Sequence, residues 1–426
     1  MGITILFVSF LILLLIGMPI AFALGISSVL TVLVTGVVPT GYLTQTMFGS
    51  VDSYPLLAVP LFVLSGVIME YGGLSRRLID AAKAFVGHIT GGLPAVALLA
   101  TAVFAMLSGS GPATVAAIGG IMIPAMIREG YSRPYSAAVL ATAGGVGIVL
   151  PPSIPLVIYG ITTSTSIGDL FIAGFIPGFI IVILLYLVSR YQAKKNGFGA
   201  GTEKASWRER WIAVWRAKWT LLMPVVVLGG IYAGLFTPTE AAGIAVAYSF
   251  ILTLAYRETK IAQIPVIVKT TMLISGMILV IIATASTYAR ILTVERIPSI
   301  IANFLDDLPI PFWAILAVII ILLLFIGMFM ETLAGIILLA PILVPVVTEM
   351  GMDPVHFGIV MIMASMIGFA TPPVGDNLNV ASAISRLSIE RVSVAALPYV
   401  GAMIAFLVVV AYVPQITMFL PGLLGN

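Results

Sequence analysis

The sequence predicts an all-α polytopic membrane protein made of two inverted-topology repeats, each with a re-entrant helical hairpin and a discontinuous helix. Three observations carry that prediction. Of 426 residues, 61% are hydrophobic and only 9% charged, with a mean hydropathy of +1.19, whereas a soluble domain carries about a quarter charged residues. The apolar segments run for about 17 to 30 residues, enough to span a hydrocarbon core of roughly 30 Å as helices, and they lack the alternation of barrel strands. Finally, a pattern of helix breakers recurs. Pro124, Gly130, Gly147, Pro151 and Pro152 return as Pro345, Gly351, Gly368, Pro372 and Pro373, each 221 positions on. Coincidence predicts roughly 0.4 such matches in a window of this length, so a unit is duplicated.

Ile3 to Val34 reads as the first span, kinked at Pro19; it has no basic n-region and exceeds a signal peptide in length, so it is expected to be retained. Leu56 to Met69 is the core of the second. Ser75 to His88 sets Arg76, Arg77, Asp80 and Lys83 beside Leu78, Ile79, Ala82 and Phe85, the pattern of an amphipathic helix lying in the interface. Leu93 to Leu107 and Pro112 to Ile127 are each about 15 residues, roughly 23 Å of helix, separated by Ser108-Gly109-Ser110-Gly111-Pro112. Such lengths suit a re-entrant hairpin at 91–129 better than two crossings. Broken backbone at that depth needs protein or a water-filled cavity around it. Segment 134–163 is one discontinuous crossing, unwound between Gly144 and Ser153 by glycine and proline. Leu170 to Ser189 crosses again and completes a first repeat at 1–191.

Residues 192–236 form a cytoplasmic amphipathic linker and an extra span. Trp207, Trp211, Trp215 and Trp219 recur every four residues, so they share a helical face suited to anchoring at headgroup level; a linker helix packed on protein is the alternative. Trp219 to Phe236 is a span without a counterpart in the first half. The second repeat, 237–426, holds spans at Glu240 to Tyr256 and Val266 to Tyr288, an arm helix at 294–307, a hairpin at 311–348, a broken helix at 354–385 and a last span from Val392 to Leu420. Each repeat supplies four crossings and a hairpin, so the extra span inverts the second copy.

Charge orients the chain. With a cytoplasmic N-terminus and a periplasmic C-terminus, 18 of the 20 lysines and arginines fall inside and only Arg290 and Arg296 outside. This positive-inside bias makes the first hairpin enter from the cytoplasm and the second from the periplasm. The absence of cysteine excludes disulfides, thiolate metal sites and thiol catalysis.

Two opposed hairpins meeting two broken helices describe an ion and solute site at the bilayer midplane. Unwinding frees carbonyls for a small cation, and half-helix N-termini present N–H groups to an anion. The expected cation ligands in the first copy are Ser108 and Ser110 with backbone around Gly145, Gly147 and Leu150. In the second they are Glu331 and Thr332 with backbone at Gly327, Gly368 and Thr371. Oxygen-only ligation suits sodium, with two or more ions and no transition metal expected. Close helix packing is the competing reading of such small-residue runs.

The expected solute ligands are Pro152, Ser153, Pro373, Asp376, Asn377 and Asn379. An ionisable residue within a span costs roughly 2.5 to 3.5 kcal/mol on insertion scales, so Asp376 either serves the site or caps the restarting half-helix. Asn377 and Asn379 can hydrogen-bond hydroxyls, which favours a polyhydroxylated solute over a bare dicarboxylate. Glu240 reads as a capping carboxylate, and His88 and His356 as structural. No GxxxxGK[ST], HExxH or GxSxG motif occurs, so neither ATP hydrolysis nor proteolysis is expected, and the chain is not expected to be an enzyme.

Three stretches, Gly109-Ser110-Gly111-Pro112-Ala113-Thr114-Val115-Ala116-Ala117-Ile118-Gly119, Gly234-Leu235-Phe236-Thr237-Pro238-Thr239-Glu240-Ala241-Ala242 and Thr371-Pro372-Pro373-Val374-Gly375, resemble the large membrane subunit of the tripartite ATP-independent periplasmic (TRAP) transporters. The resemblance covers nearly the whole chain. It implies an elevator-type carrier performing sodium-coupled uptake of an organic acid across the bacterial inner membrane, the solute being a sugar acid such as sialic acid or a C4-dicarboxylate. The implied partners, besides lipid, are a small four-helix membrane subunit and a periplasmic substrate-binding protein, with no nucleic acid and no organic cofactor. Because the chain starts at the large subunit's first span, the small subunit is expected as a separate polypeptide. Many relatives carry apolar residues where Asp376 and Asn379 stand, a departure that bears on the solute. Segments 75–88 and 294–307 precede the two hairpins, and the resemblance makes them arms between a fixed scaffold and a moving transport domain. A stand-alone sodium-coupled carboxylate transporter without a binding-protein partner is the alternative.

Overall fold

The computed structural model describes residues 2–89, 91–198, 205–257, 261–297, 299–300, 310–372 and 375–424. These residues form helices and connecting turns, with no strand among them. Eight of the described helices are long and apolar enough to cross a membrane.

The expected first span is two helices. α1 (Gly2–Leu15) and α2 (Ile20–Thr35) run antiparallel through a turn at Gly17, whose φ is +83°. A methyl group on Gly2 would stand 3.5 Å from Thr35 Cγ2, so the two ends of the pair lie together. Pro19 alone would only bend a helix; Gly17 in the left-handed region allows the chain to reverse. α3 (Thr40–Val51) leads to α4 (Tyr54–Tyr71), the second span. α5 (Leu74–Val86) is amphipathic as expected, burying Leu74, Leu78 and Ile79.

α6 (Gly92–Ser108) and α7 (Gly111–Arg128) form the first hairpin, α7 carrying a π turn at Val115–Gly119. The broken helix is α8 (Arg133–Gly144), a tight 3-10 turn at Gly145–Ile148, an unwound stretch at 149–153, and α9 (Ile154–Thr163). α10 (Ile167–Lys195) is the following span.

The linker helix and the extra span, expected as two elements, are one. α11 runs without interruption from Trp207 to Tyr232. Ser206 and Glu209 start it with a reciprocal cap, Ser206 N–H donating to the Glu209 carboxylate at 2.7 Å and Glu209 N–H to Ser206 Oγ at 3.3 Å. No glycine or proline interrupts the sequence until Pro224, so the helix has no local reason to stop at Trp219. Trp207, Trp211, Trp215 and Trp219 are 73, 68, 66 and 46% exposed, so this face is not packed on the chain itself.

α12 (Pro238–Tyr256) and α13 (Ile264–Val294) follow. Most of the expected arm at 294–307 lies outside the described residues. The second hairpin is α14 (Phe312–Gly327) and α15 (Thr332–Glu349), and the second broken helix is α16 (Pro354–Phe369) and α17 (Asp376–Ser385). The last span, α18 (Ile389–Tyr412), ends before Pro414 rather than reaching Leu420, and α19 (Gln415–Leu424) packs on α10.

The 221-residue offset governs the backbone as well as the sequence. α8 starts at Arg133 and α16 at Pro354; α7 ends at Arg128 and α15 at Glu349. Gly130 and Gly351 share φ values of +87° and +89°. Ser132 and Asp353 cap the two equivalent helices with side-chain oxygens. The copies run in opposite directions. Tyr159 in α9 donates to the Pro354 carbonyl at 2.7 Å, so the first broken helix ends where the second begins. At the other end, Tyr135 of α8 donates to the Ser189 carbonyl at 2.8 Å, and Ser189 Oγ lies 3.2 Å from the Tyr399 hydroxyl of α18.

Apolar surface gives helices little reason to associate within lipid, so close approach of small residues matters more. Gly147 faces Ala105, whose Cβ stands 2.6 Å from where a methyl would sit, and Gly368 packs directly on the Gly327 backbone. α4 packs against α12 and α13, and α11 against α5 and α12. The broken helices pack with α10 and α18, the first hairpin with α10 through α6, and the second hairpin with α16 and, through α15, with α13.

Candidate functional site

A cavity of about 170 Å³ lies where both hairpin tips and both broken helices meet. Ser110, Gly111 and Pro112 line it from the first tip, Glu331, Thr332 and Leu333 from the second. Ile148, Ile154 and Pro155 come from the first broken helix, Phe369 and Asp376 from the second. α13 closes it with Ile274, Met277, Ile278 and Ile281.

Local sequence builds each tip. At the first, Gly109 adopts φ +61°, and a methyl there would stand 3.3 Å from the Ile154 backbone nitrogen. The tip therefore closes directly onto the restarting half-helix, and only glycine meets both demands. Ser110 is extended, with φ −130° and ψ 126°. Thr114 Oγ1 donates to the Ser110 carbonyl at 2.7 Å and lies 2.7 Å from Ser108 Oγ. Ser108 thus braces the tip from behind, and Ser110 faces the cavity. At the second tip Glu331 is the N-cap of α15, accepting from Ala334 N–H at 3.3 Å. Thr332 is 3% exposed, and its Oγ1 has no hydrogen-bond partner.

Of the expected site residues, the structure brings Ser110, Glu331, Thr332 and Asp376 to the cavity wall. Asp376 is the first residue of α17 rather than its cap, which is Gly375. Around these lie groups that shape the breaks. Ser153 Oγ donates to the Ile148 carbonyl at 2.6 Å, spanning the unwound stretch beside Pro152. Leu150 is buried against Gly178, Gly145 faces Met366, and Gly327 and Gly368 touch through backbone. Thr371 Oγ1 donates to the Ile367 carbonyl at 2.6 Å, turning its hydroxyl back along α16. Asn379 is exposed, and Pro373 lies outside the described residues.

Asn377 lies beneath the cavity. It is fully buried, with neither amide atom hydrogen-bonded. A methyl on Gly111 would meet its Oδ1 at 2.9 Å, and one on Gly144 its Nδ2 at 3.3 Å. Neither Asn377 nor Asn379 is among the residues lining the cavity.

Reading the sequence missed the α13 wall, which looks like any other apolar span. It also missed Thr114, whose place four residues after Ser110 in a helical start was the available signal. Glu240 forms a reciprocal cap with Thr237, at 2.8 and 3.3 Å. His356 joins α16 to Thr417 and the Ala411 carbonyl, at 2.7 and 3.2 Å. Both are structural contacts.

The model of the family "Tripartite ATP-independent periplasmic transporter, DctM component" matches residues 7–416. The chain is 43% identical over 419 residues to an isethionate TRAP transporter permease of Oleidesulfovibrio alaskensis, covering 98% of this chain and 66% of that relative's length. It is also 43% identical over 404 residues to a C4-dicarboxylate TRAP transporter large permease of Pseudomonas aeruginosa, covering 95% and 94%. Among solved structures, the YdaH transporter of Alcanivorax borkumensis superposes with a TM-score of 0.66 over 90% of both chains at 17% identity, a likeness of fold alone. The duplicated hairpins and broken helices, and a match running nearly end to end, make this chain a member of the TRAP transporter family, as its large membrane component.

Proposed function

We propose that this protein is the membrane carrier of a sodium-coupled uptake system for an organic acid in the bacterial inner membrane. The observation that carries the reading is the cavity shared by both hairpin tips and both broken helices. Helix C-terminal ends at Gly109, Ile148 and Phe369 lie at its wall, and carbonyls freed at such ends suit sodium. Helix N-terminal ends at Gly111, Ile154, Thr332 and Asp376 suit an anionic group. Ser110, Glu331 and Thr332 with their neighbouring backbone are the proposed sodium ligands, Ser108 braces the first of them from behind, and the cavity wall holds the solute.

The carrier works by an elevator movement, in which hairpins and broken helices travel against α4, α12 and α13, with the small membrane subunit beside that scaffold. A periplasmic binding protein delivers the solute. The basic residues orient the base of the first hairpin to the cytoplasm. The antiparallel α1 and α2 support a periplasmic first residue, in exchange for the cytoplasmic one expected from a single span.

The test is reconstitution with the small subunit in proteoliposomes. Accumulation of solute should require an inward sodium gradient and the binding protein. Uptake indifferent to sodium would defeat the coupling, and full uptake without the binding protein would favour the stand-alone carboxylate transporter.

A further inference from the structure

A cavity of about 440 Å³ lies apart from the solute site, in the seam where α5 packs along α11. α5 lines it with Arg76, Arg77 and Asp80, and α11 with Glu209, Ile212 and Arg216. Three guanidiniums there face two carboxylates, and one carboxylate is already engaged: Glu209 accepts from Ser206 N–H at 2.7 Å and from Ser206 Oγ at 2.8 Å. Arg77 stacks over the Tyr256 ring, 3.7 Å from its centroid, which holds its guanidinium in the seam. Arg76 and Arg216 make no ion pair or hydrogen bond with the described residues. One comes from each helix, so together they form a two-sided cationic clamp, and a guanidinium fork matches phosphate oxygens bidentately. The same stretch of α11 carries the exposed Trp207, Trp211, Trp215 and Trp219, a belt suited to headgroup level. Lys218 lies over Trp215, its Nζ 3.2 Å from the ring centroid. Ile212, 42% exposed, gives the cavity an apolar side beside the charged one. A free inorganic anion leaves that side in water, whereas an acyl chain covers it.

We propose that this cavity holds the phosphate headgroup of an anionic phospholipid, gripped by Arg76 and Arg216 from opposite helices, with Ile212 and the tryptophan belt against its acyl chains. Basic pockets between membrane helices take such headgroups. α5 leads into the first hairpin and α11 packs on α12, so one bound lipid ties the helix before the hairpin to the α11–α12 pair. The site is separate from the solute cavity, and the inference does not depend on which solute or ion the carrier takes.

The experiment is native mass spectrometry of the purified complex of large and small subunits, titrated with phosphatidylglycerol and with zwitterionic phosphatidylcholine of the same acyl chains. The expected result is retention of phosphatidylglycerol about tenfold tighter than of phosphatidylcholine. Arg76→Gln with Arg216→Gln should remove most of that preference. Lys194→Gln with Arg208→Gln takes the same charge from exposed positions outside the cavity and should leave it intact. Equal retention of the two lipids by the unaltered complex overturns the proposal. So does a preference that survives the cavity pair, or one that falls equally in the outside pair. Glycerol 3-phosphate displacing the lipid at the concentration at which phosphatidylglycerol itself does so would assign the site to a free phosphate and overturn the lipid. A small subunit filling the cavity would leave the complex without preference and be lost on purification of the cavity pair, which overturns the proposal as well. Unfolding temperatures without added lipid check that each variant is folded. If the cavity pair fails to fold, Ala213→Trp, which fills the cavity and keeps its charges, takes its place: loss of the preference supports the site, and a surviving preference overturns it.

Discussion

The two hairpin tips stand 221 residues apart at equivalent places, yet their chemistry differs. At the first, Ser108, Ser110 and Thr114 brace one another through neutral hydroxyls. At the second, Glu331 caps the returning helix, and Gly335 stands where the first copy has Thr114. The backbone break recurs because both copies need free helix ends at the same depth. The side chains are under no such symmetry, because each tip faces a different wall of one cavity.

The largest expected effect tests the shared backbone. Gly368→Ala drives a methyl into the Gly327 backbone and should lower stability by about 1–3 kcal/mol in unfolding of the purified complex. Gly335→Ala meets open space on the second hairpin and should be neutral or stabilising by up to about 1 kcal/mol. Equal stabilities would mean that close packing at the second break is dispensable.

The next predictions separate the tips. Ser110→Ala, which removes a hydroxyl at the cavity wall, should raise the sodium concentration for half-maximal uptake about tenfold, equivalent to about 1.4 kcal/mol of lost binding. Thr332→Val should do the same from the other side. Unchanged sodium activation in either variant would take that tip out of ion binding. Thr114→Val, which removes the donor to the Ser110 carbonyl and the partner of Ser108, should cost about 0.5–1.5 kcal/mol of stability, with a smaller shift in sodium activation than Ser110→Ala. A larger shift would put the brace, rather than Ser110, at the centre of the site.

The smallest effect lies away from both tips. Glu240→Ala removes one half of the reciprocal cap of α12 and should be seen as a slightly lower unfolding temperature with unaltered solute affinity. A change in affinity would show that the scaffold's helix start reports to the cavity.

Much of this architecture was legible because its signals are local. Glycine and proline clustered together weaken a helix locally, so the hairpin at 91–129, the broken helices and the 221-residue repeat could be read before any packing was known. The reciprocal cap of Glu240 was readable for the same reason, since capping involves residues three apart. The two antiparallel helices at the start were not, because a Gly-x-Pro turn and a proline kink look alike until Gly2 is seen beside Thr35. The joining of linker and span in α11 escaped notice because polar composition marks a helix's surroundings and not its end.

The sequence by itself determined the class, the duplication and the positions of the breaks, since each follows from hydropathy or from the backbone limits of single residues. Only the tertiary structure decided which chemistry meets. Ser108 turned behind the first tip while Ser110 faced the cavity, Asn377 was driven beneath it between Gly111 and Gly144, and Asp376 came onto one wall with Glu331. Those outcomes depend on contacts between copies more than 200 residues apart, and no local propensity encodes them.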